Sequence, residues 1–166
     1  WFVESESAPA EDPLVFWTNG GPGCSGLIGF MTEQGPFRPD KDGNVQLNPW
    51  RWNTIANMVF LEQPVGVGFS YSDNSADYKI GDSQAAEDNL QTILMFLKRF
   101  PQLAKSPLFI TSESYGGHYM PTLASQIVDY NKKNGGVLNF KGFAVGNPYT
   151  DYYSGVGAEM ETYWGK

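Results

Sequence analysis

The chain has 166 residues, enough for one domain with a core of its own, and 41% of them are hydrophobic and 15% aromatic. The net charge is −7 at neutral pH, and no Lys/Arg cluster stands against it, which argues against nucleic acid or an anionic membrane as partner. No apolar run approaches the ~20 residues that a membrane helix needs.

In chain order, the apolar run Leu14-Val15-Phe16-Trp17 predicts a buried strand over 14–17. Asn19-Gly20-Gly21-Pro22-Gly23-Cys24-Ser25-Gly26 follows at once. Glycines around a proline make a loop whose N–H groups a substrate oxygen can approach closely. A second buried strand is predicted over 58–61, and the polar, turn-rich stretch 66–81 suits a surface loop. Residues 82–98 predict a helix. Leu90, Ile93, Leu94 and Leu97 repeat at i, i+3, i+4 and i+7, while Asp82, Glu87 and Asp88 lie towards its N-terminal half and Pro101 ends it. A third strand is predicted over 108–111. A second helix is predicted over 120–133, with Pro121 in its first turn, Lys132 and Lys133 in its last turn and Gly135 past its end. A fourth buried strand is predicted over 140–145, at the end of the sheet. Helices between apolar strands predict an α/β fold, a mostly parallel sheet with flanking helices joined by right-handed crossovers.

Between the third strand and the second helix lies Ser112-Glu113-Ser114-Tyr115-Gly116-Gly117-His118-Tyr119. A Ser between small residues is weak evidence alone. Strand before and helix after make it the layout of a nucleophile elbow, where a tight turn holds the hydroxyl clear of the backbone. Ser114 is then the nucleophile, and Ser112 and Gly116 supply the small residues that the crowded turn requires. Acyl transfer also needs two N–H donors for the oxyanion, one from the residue after the nucleophile and one from a Gly-rich loop. Tyr115 supplies the first, and Gly20 or Gly21 the second.

These segments together resemble the serine carboxypeptidases, a branch of the α/β-hydrolases. The likeness runs through Trp1-Phe2-Val3-Glu4-Ser5, Asp12-Pro13-Leu14-Val15-Phe16-Trp17-Thr18-Asn19-Gly20-Gly21-Pro22-Gly23-Cys24-Ser25, Glu33-Gln34-Gly35-Pro36-Phe37, Asn48-Pro49-Trp50-Arg51-Trp52-Asn53 and Gln63-Pro64-Val65-Gly66-Val67-Gly68-Phe69-Ser70-Tyr71. It closes on Glu113-Ser114-Tyr115 with Gly117-His118-Tyr119 and Pro121. Two places depart from the pattern: Ser112 stands where that family usually has Gly, and Gly116 where it usually has Ala. The resemblance implies an enzyme that removes C-terminal residues from peptides and proteins through an acyl-enzyme on Ser114, with Gly21 and Tyr115 N–H as the oxyanion donors. It further implies that Asn19, Gly20, Glu33 and Glu113 bind the substrate's terminal carboxylate. A carboxylate can hydrogen-bond another carboxyl group only if the two share a proton.

His118, the only histidine, follows Ser114 by four residues, whereas the base of such an enzyme approaches from a different loop. Its motif in the family is not the base either. Asp129 reads as the polar face of a helix, and Asp151 as a turn residue after Asn147-Pro148. The family's catalytic Asp and His lie further C-terminal. Cys24, the lone cysteine, matches one that the family pairs with a distant downstream Cys. The resemblance therefore implies that residues 1–166 are one incomplete α/β-hydrolase domain, the N-terminal part of a longer chain. It also implies a place in the secretory route, in a lysosome or vacuole or outside the cell. No metal or organic cofactor is implied. A related acyltransferase branch uses the same Ser, but often lacks the Asn before the two glycines. A non-catalytic binding module on the same fold would form no acyl-enzyme with a Ser-directed phosphonate.

Overall fold

The computed structural model describes residues 1–165. Strand β1 (Phe2–Val3) is followed by β2 (Leu14–Thr18), helix α1 (Leu27–Thr32), a small hairpin of β3 (Phe37–Pro39) and β4 (Val45–Leu47), and β5 (Asn57–Phe60). Then come α2 (Asp82–Arg99), β6 (Leu108–Glu113), α3 (Gly116–Asn134), β7 (Phe140–Gly146) and α4 (Tyr152–Trp164). The main sheet has the order β1-β5-β2-β6-β7, parallel throughout except for β1, which runs antiparallel to β5.

Every residue of β2 is buried, because the central strand is covered on both faces. Side chains alternate across a strand, so Leu14 and Phe16 point one way and Val15 and Trp17 the other. The first pair joins Leu90 and Ile93 of α2, Leu108 and Ile110 of β6, and Met120, Leu123 and Ile127 of α3 in the larger core. The second pair joins Phe30 of α1 and Met58 and Phe60 of β5 in a smaller core on the opposite face. Phe2 of β1 is drawn into the larger core by ring contacts with Phe96 and Phe100, at centroid distances of 5.2 and 4.9 Å. Strand β7 was expected to be buried, but it is the edge of the sheet among the described residues, with no strand beyond it, so none of its residues is buried and Phe143 is exposed. No helix among them is long and apolar enough to cross a membrane.

Several boundaries differ from the sequence reading, each for a local reason. Strand β5 begins one residue early, at Asn57, whose buried amide donates to Pro9 and Asp12 carbonyls and accepts from Ser5 N–H. Helix α3 begins at Gly116 rather than at residue 120, since the tight turn feeds straight into the first helical turn. Pro121 is therefore the sixth residue of the helix, not part of its first turn, and it has no N–H for the Gly117 carbonyl. Gly135 ends the helix in the left-handed conformation, where a residue without a Cβ sits at no cost. The stretch 66–81 is a mostly exposed loop with one 3-10 turn, Ser75–Tyr78. Asp151 does more than turn the chain: its Oδ2 accepts from Ser154 N–H at 2.7 Å and caps α4.

Candidate active site

Strand β6 stops at Glu113, and Ser114 takes φ = +52°, a region an L-residue enters at a cost of about 1–3 kcal/mol. Three backbone bonds hold it there. Ser114 N–H donates to Gly146 O at 2.9 Å, and its own carbonyl accepts from Gly117 N–H at 3.0 Å and Tyr149 N–H at 2.7 Å. Such a sharp strand-to-helix junction lifts the side chain off the sheet. Its Oγ has no hydrogen-bond partner among the described residues and opens on a cleft of about 630 Å³, lined also by Gly21, Pro22, Tyr115, Tyr149 and Glu159. A larger cavity of about 710 Å³ lies elsewhere, between α2 and the 66–81 loop. It holds neither Ser114 nor the free N–H groups described below, so the candidate site is the smaller cleft.

The elbow's two unusual residues explain each other. Ser112 is 1% exposed, and its Oγ donates to Thr18 O at 2.7 Å. A Cβ on residue 116 would overlap that same Ser112 side chain. Ser with Gly here occupies the space that Gly with Ala fills in the resembled pattern. In the full-length protein Gly116→Ala is expected to cost about 1–3 kcal/mol of stability. Adding Ser112→Gly should recover part of it, giving a coupling of about 0.5–3 kcal/mol in a double-mutant cycle read by chemical denaturation. Simple additivity would show that the two positions do not share this space.

The Gly-rich loop leaves the end of β2 and presses against the elbow. A Cβ on Gly20 would lie 2.5 Å from Glu113 O and 2.6 Å from Tyr115 N, so only glycine lets the two backbones approach this closely. Gly21 follows at φ = +113°. The N–H groups of Gly20, Gly21 and Tyr115 donate to no group among the described residues. Free N–H groups from two chain segments, next to an unpartnered Ser hydroxyl, are what a developing oxyanion requires.

Beside them sits a carboxyl pair. Asn19 is fully buried. Its Oδ1 accepts from Trp17 Nε1 and Gly29 N–H, both at 3.0 Å, and those groups can only donate. The amide NH₂ must therefore face the other way, where it donates to Glu33 Oε1 at 3.1 Å and Glu113 Oε1 at 3.2 Å. Glu33 sits at the C-terminal end of α1, where its carbonyl accepts from Asn48 Nδ2 and Arg38 Nη2, each at 2.7 Å. Burial pushes the Glu33 carboxyl above the usual carboxylate range; the Asn19 amide pulls it back, and the nearby Glu113 charge raises it further. A carboxyl group inclined to keep its proton, beside a second carboxyl group, can accept a third carboxylate as partner.

Asn19, Gly20, Gly21, Glu33, Glu113, Ser114 and Tyr115 are thus brought to one end of the parallel strands, although they come from three separate segments. Trp17, Arg38 and Asn48, which orient Asn19 and Glu33, were not found by sequence reasoning. Trp17 carried a usable signal, since a buried indole N–H must find an acceptor, and Asn19 lies two residues on. His118 stacks on Tyr115 with ring centroids 4.7 Å apart and leans on Tyr149 at 5.6 Å, and it makes no hydrogen bond to Ser114 among the described residues. Asp129 pairs with Lys132 on the exposed face of α3. Cys24 is a half-buried free thiol whose N–H donates to Gly20 O at 3.1 Å. No cluster of metal-ligating side chains occurs among the described residues.

The model of one protein family, serine carboxypeptidase, matches residues 1–166. Among curated relatives, serine carboxypeptidase-like 25 of Arabidopsis thaliana is 46% identical over 99% of this chain, and serine carboxypeptidase 24 of the same plant is 48% identical over 99%. The chain spans 35% and 36% of their lengths, about a third of each. Among solved structures, the crystal structure of KEX1(delta)P, a prohormone-processing carboxypeptidase from Saccharomyces cerevisiae, superposes with a TM-score of 0.82 at 30% identity, covering 98% of this chain and 37% of that one.

Proposed function

Because the chain belongs to the serine carboxypeptidase family, we propose that the protein of which these residues form part is a serine-type carboxypeptidase, and that residues 1–166 are the nucleophile-bearing part of a larger α/β-hydrolase domain. The observation that carries this reading is the Asn19 amide bridging Glu33 and Glu113 beside Ser114 and three free N–H groups. An endopeptidase or lipase has no use for a half-buried carboxyl pair there; an enzyme that must hold the end of a chain does. That bridge also favours the peptidase over an acyltransferase.

In this mechanism the last residue of the substrate enters with its carboxylate against Gly20 N–H and the Asn19-bridged carboxyl pair, which shares one proton with it. That anchor sets the final peptide bond over Ser114. The Ser114 oxygen attacks the carbonyl carbon, and the oxyanion collects hydrogen bonds from Gly21 and Tyr115 N–H. Collapse of the tetrahedral intermediate expels the C-terminal amino acid and leaves an ester on Ser114, which water then hydrolyses. The base that takes the Ser114 proton comes from outside these residues, as does the partner of Cys24. The protein works along the secretory route, in a vacuole or lysosome or outside the cell. A non-catalytic module on this fold would form no acyl-enzyme on Ser114 with a Ser-directed phosphonate.

The test is a comparison of free-acid and C-terminally amidated peptides on the full-length protein as a function of pH. Glu33 keeps its proton to higher pH than an ordinary carboxyl group, so the shared proton is present in acid and is lost as pH rises through this raised value. KM for free-acid peptides is therefore expected to rise with pH, and KM for amides to stay flat. Glu33→Gln, which keeps a donor at every pH, should flatten the acid-peptide curve. Identical pH profiles for acid and amide in the unaltered protein would refute the carboxylate anchor.

A further inference from the structure

The segment Glu62–Ser70 takes no direct part in the chemistry above, yet it is packed behind the Gly-rich loop. At its start Gln63, 5% exposed, lies between Asn89 of α2 (5% exposed) and Thr18 at the end of β2 (2% exposed). Asn89 Nδ2 donates to Gln63 Oε1 at 3.2 Å, Gln63 Nε2 donates to Thr18 Oγ1 at 3.3 Å, and the Thr18 hydroxyl donates to Asn19 O at 3.3 Å. The chain of bonds has a direction. With its oxygen occupied by Asn89, the Gln63 amide offers only N–H to Thr18, and a hydroxyl that accepts one bond is left to pass its own proton on. That proton goes to the Asn19 carbonyl.

The Asn19–Gly20 peptide is trans and planar, so its C=O and N–H point in opposite directions. A carbonyl held on the buried side by Thr18 sends Gly20 N–H to the open side, where it has no partner in the chain. The neighbouring Thr18–Asn19 peptide is held in turn by Ser112 Oγ on Thr18 O at 2.7 Å. We propose that the buried line Asn89–Gln63–Thr18 is a positioning relay that orients the Asn19–Gly20 peptide and so aims Gly20 N–H at the substrate's terminal carboxylate. This rests on the carboxypeptidase reading and assigns Gln63 and Thr18 a part in recognising the chain end, although neither touches substrate.

The experiment uses the full-length protein, one peptide with a free C-terminus, its amide, and a fluorophosphonate that labels Ser114. Thr18→Val keeps the shape and removes the hydroxyl. Gln63→Glu places an acceptor where the donor was, so the Thr18 hydroxyl turns back towards it and leaves the Asn19 carbonyl. Each should raise KM for the free acid about tenfold, the scale of a misdirected hydrogen bond to a charged group. KM for the amide and the labelling rate should stay within about twofold of the unaltered protein, and Thr18→Ser should regain most of the loss. If Thr18→Val folds poorly, Gln63→Glu still decides the matter, because labelling reports the fold of the site independently. Free-acid KM unchanged in both variants overturns the relay, and so does a parallel loss of acid turnover, amide turnover and labelling, which would mark a merely structural role. An unaltered protein that shows no preference for the acid overturns the carboxypeptidase reading and the relay with it.

Discussion

Replacing Ser114 by Ala in the full-length protein is expected to abolish covalent labelling by a fluorophosphonate and to cut turnover of C-terminal residues by about six orders of magnitude. That figure is the usual scale for losing the nucleophile of a catalytic unit whose members act together. The substitution keeps the backbone intact, because the three bonds that hold residue 114 come from main-chain groups of Gly117, Gly146 and Tyr149. Loss of reaction with an unchanged melting transition would therefore be a chemical effect. Ser25 is the natural control. Its hydroxyl bonds Glu62 and the Leu27 N–H, and Ser25→Ala should still be labelled. Labelling that survives Ser114→Ala would remove the elbow from the mechanism.

Gly20→Ala should also be strongly damaging, though less so and by a different route. The added methyl group would lie 2.5 Å from Glu113 O and 2.6 Å from Tyr115 N, and both neighbours are main-chain atoms that cannot rotate away. Either the Gly-rich loop or the elbow must move, and the oxyanion donors from the two segments then lose their common focus. One misplaced donor typically costs 10²–10³ in kcat, so a loss of at least about that size is expected, with residual slow labelling at Ser114. Gly81→Ala, with open space around its Cα, should have little effect on turnover. Turnover by Gly20→Ala within tenfold of the unaltered protein would mean that the loop and the elbow are not the joint oxyanion site.

Much of this architecture was legible in the chain before any coordinates. The buried runs that became β2, β5 and β6 are apolar because both faces of the sheet are covered there, and the spacing of Leu90, Ile93, Leu94 and Leu97 marked α2 to within one residue. The misses have physical causes. Gly116-Gly117 reads as a turn by composition, yet the elbow needs small residues inside the first helical turn, so α3 starts four residues early. Helix α1 has six residues with a glycine at its middle, too short for a period to show. Strands β3 and β4 have no buried residue and so no apolar run to detect. The site was legible only in part. Ser114 and its donors follow from local pattern, but Glu33 and Glu113 are 80 positions apart in sequence, and only their resemblance to a family motif placed them together. Gln63, Thr18 and Asn89 meet through tertiary packing alone, and nothing in their spacing announces it.

The left-handed backbone at Ser114 sets this protein's stability against its chemistry. A glycine would make the same three main-chain bonds and escape the steric cost of about 1–3 kcal/mol, offset in part by its greater freedom in the unfolded chain. The proposed nucleophile is thus among the less favourable residues its own position could hold. Selection on folding alone would favour glycine at this position, so a serine here costs stability that only a use for its hydroxyl would offset.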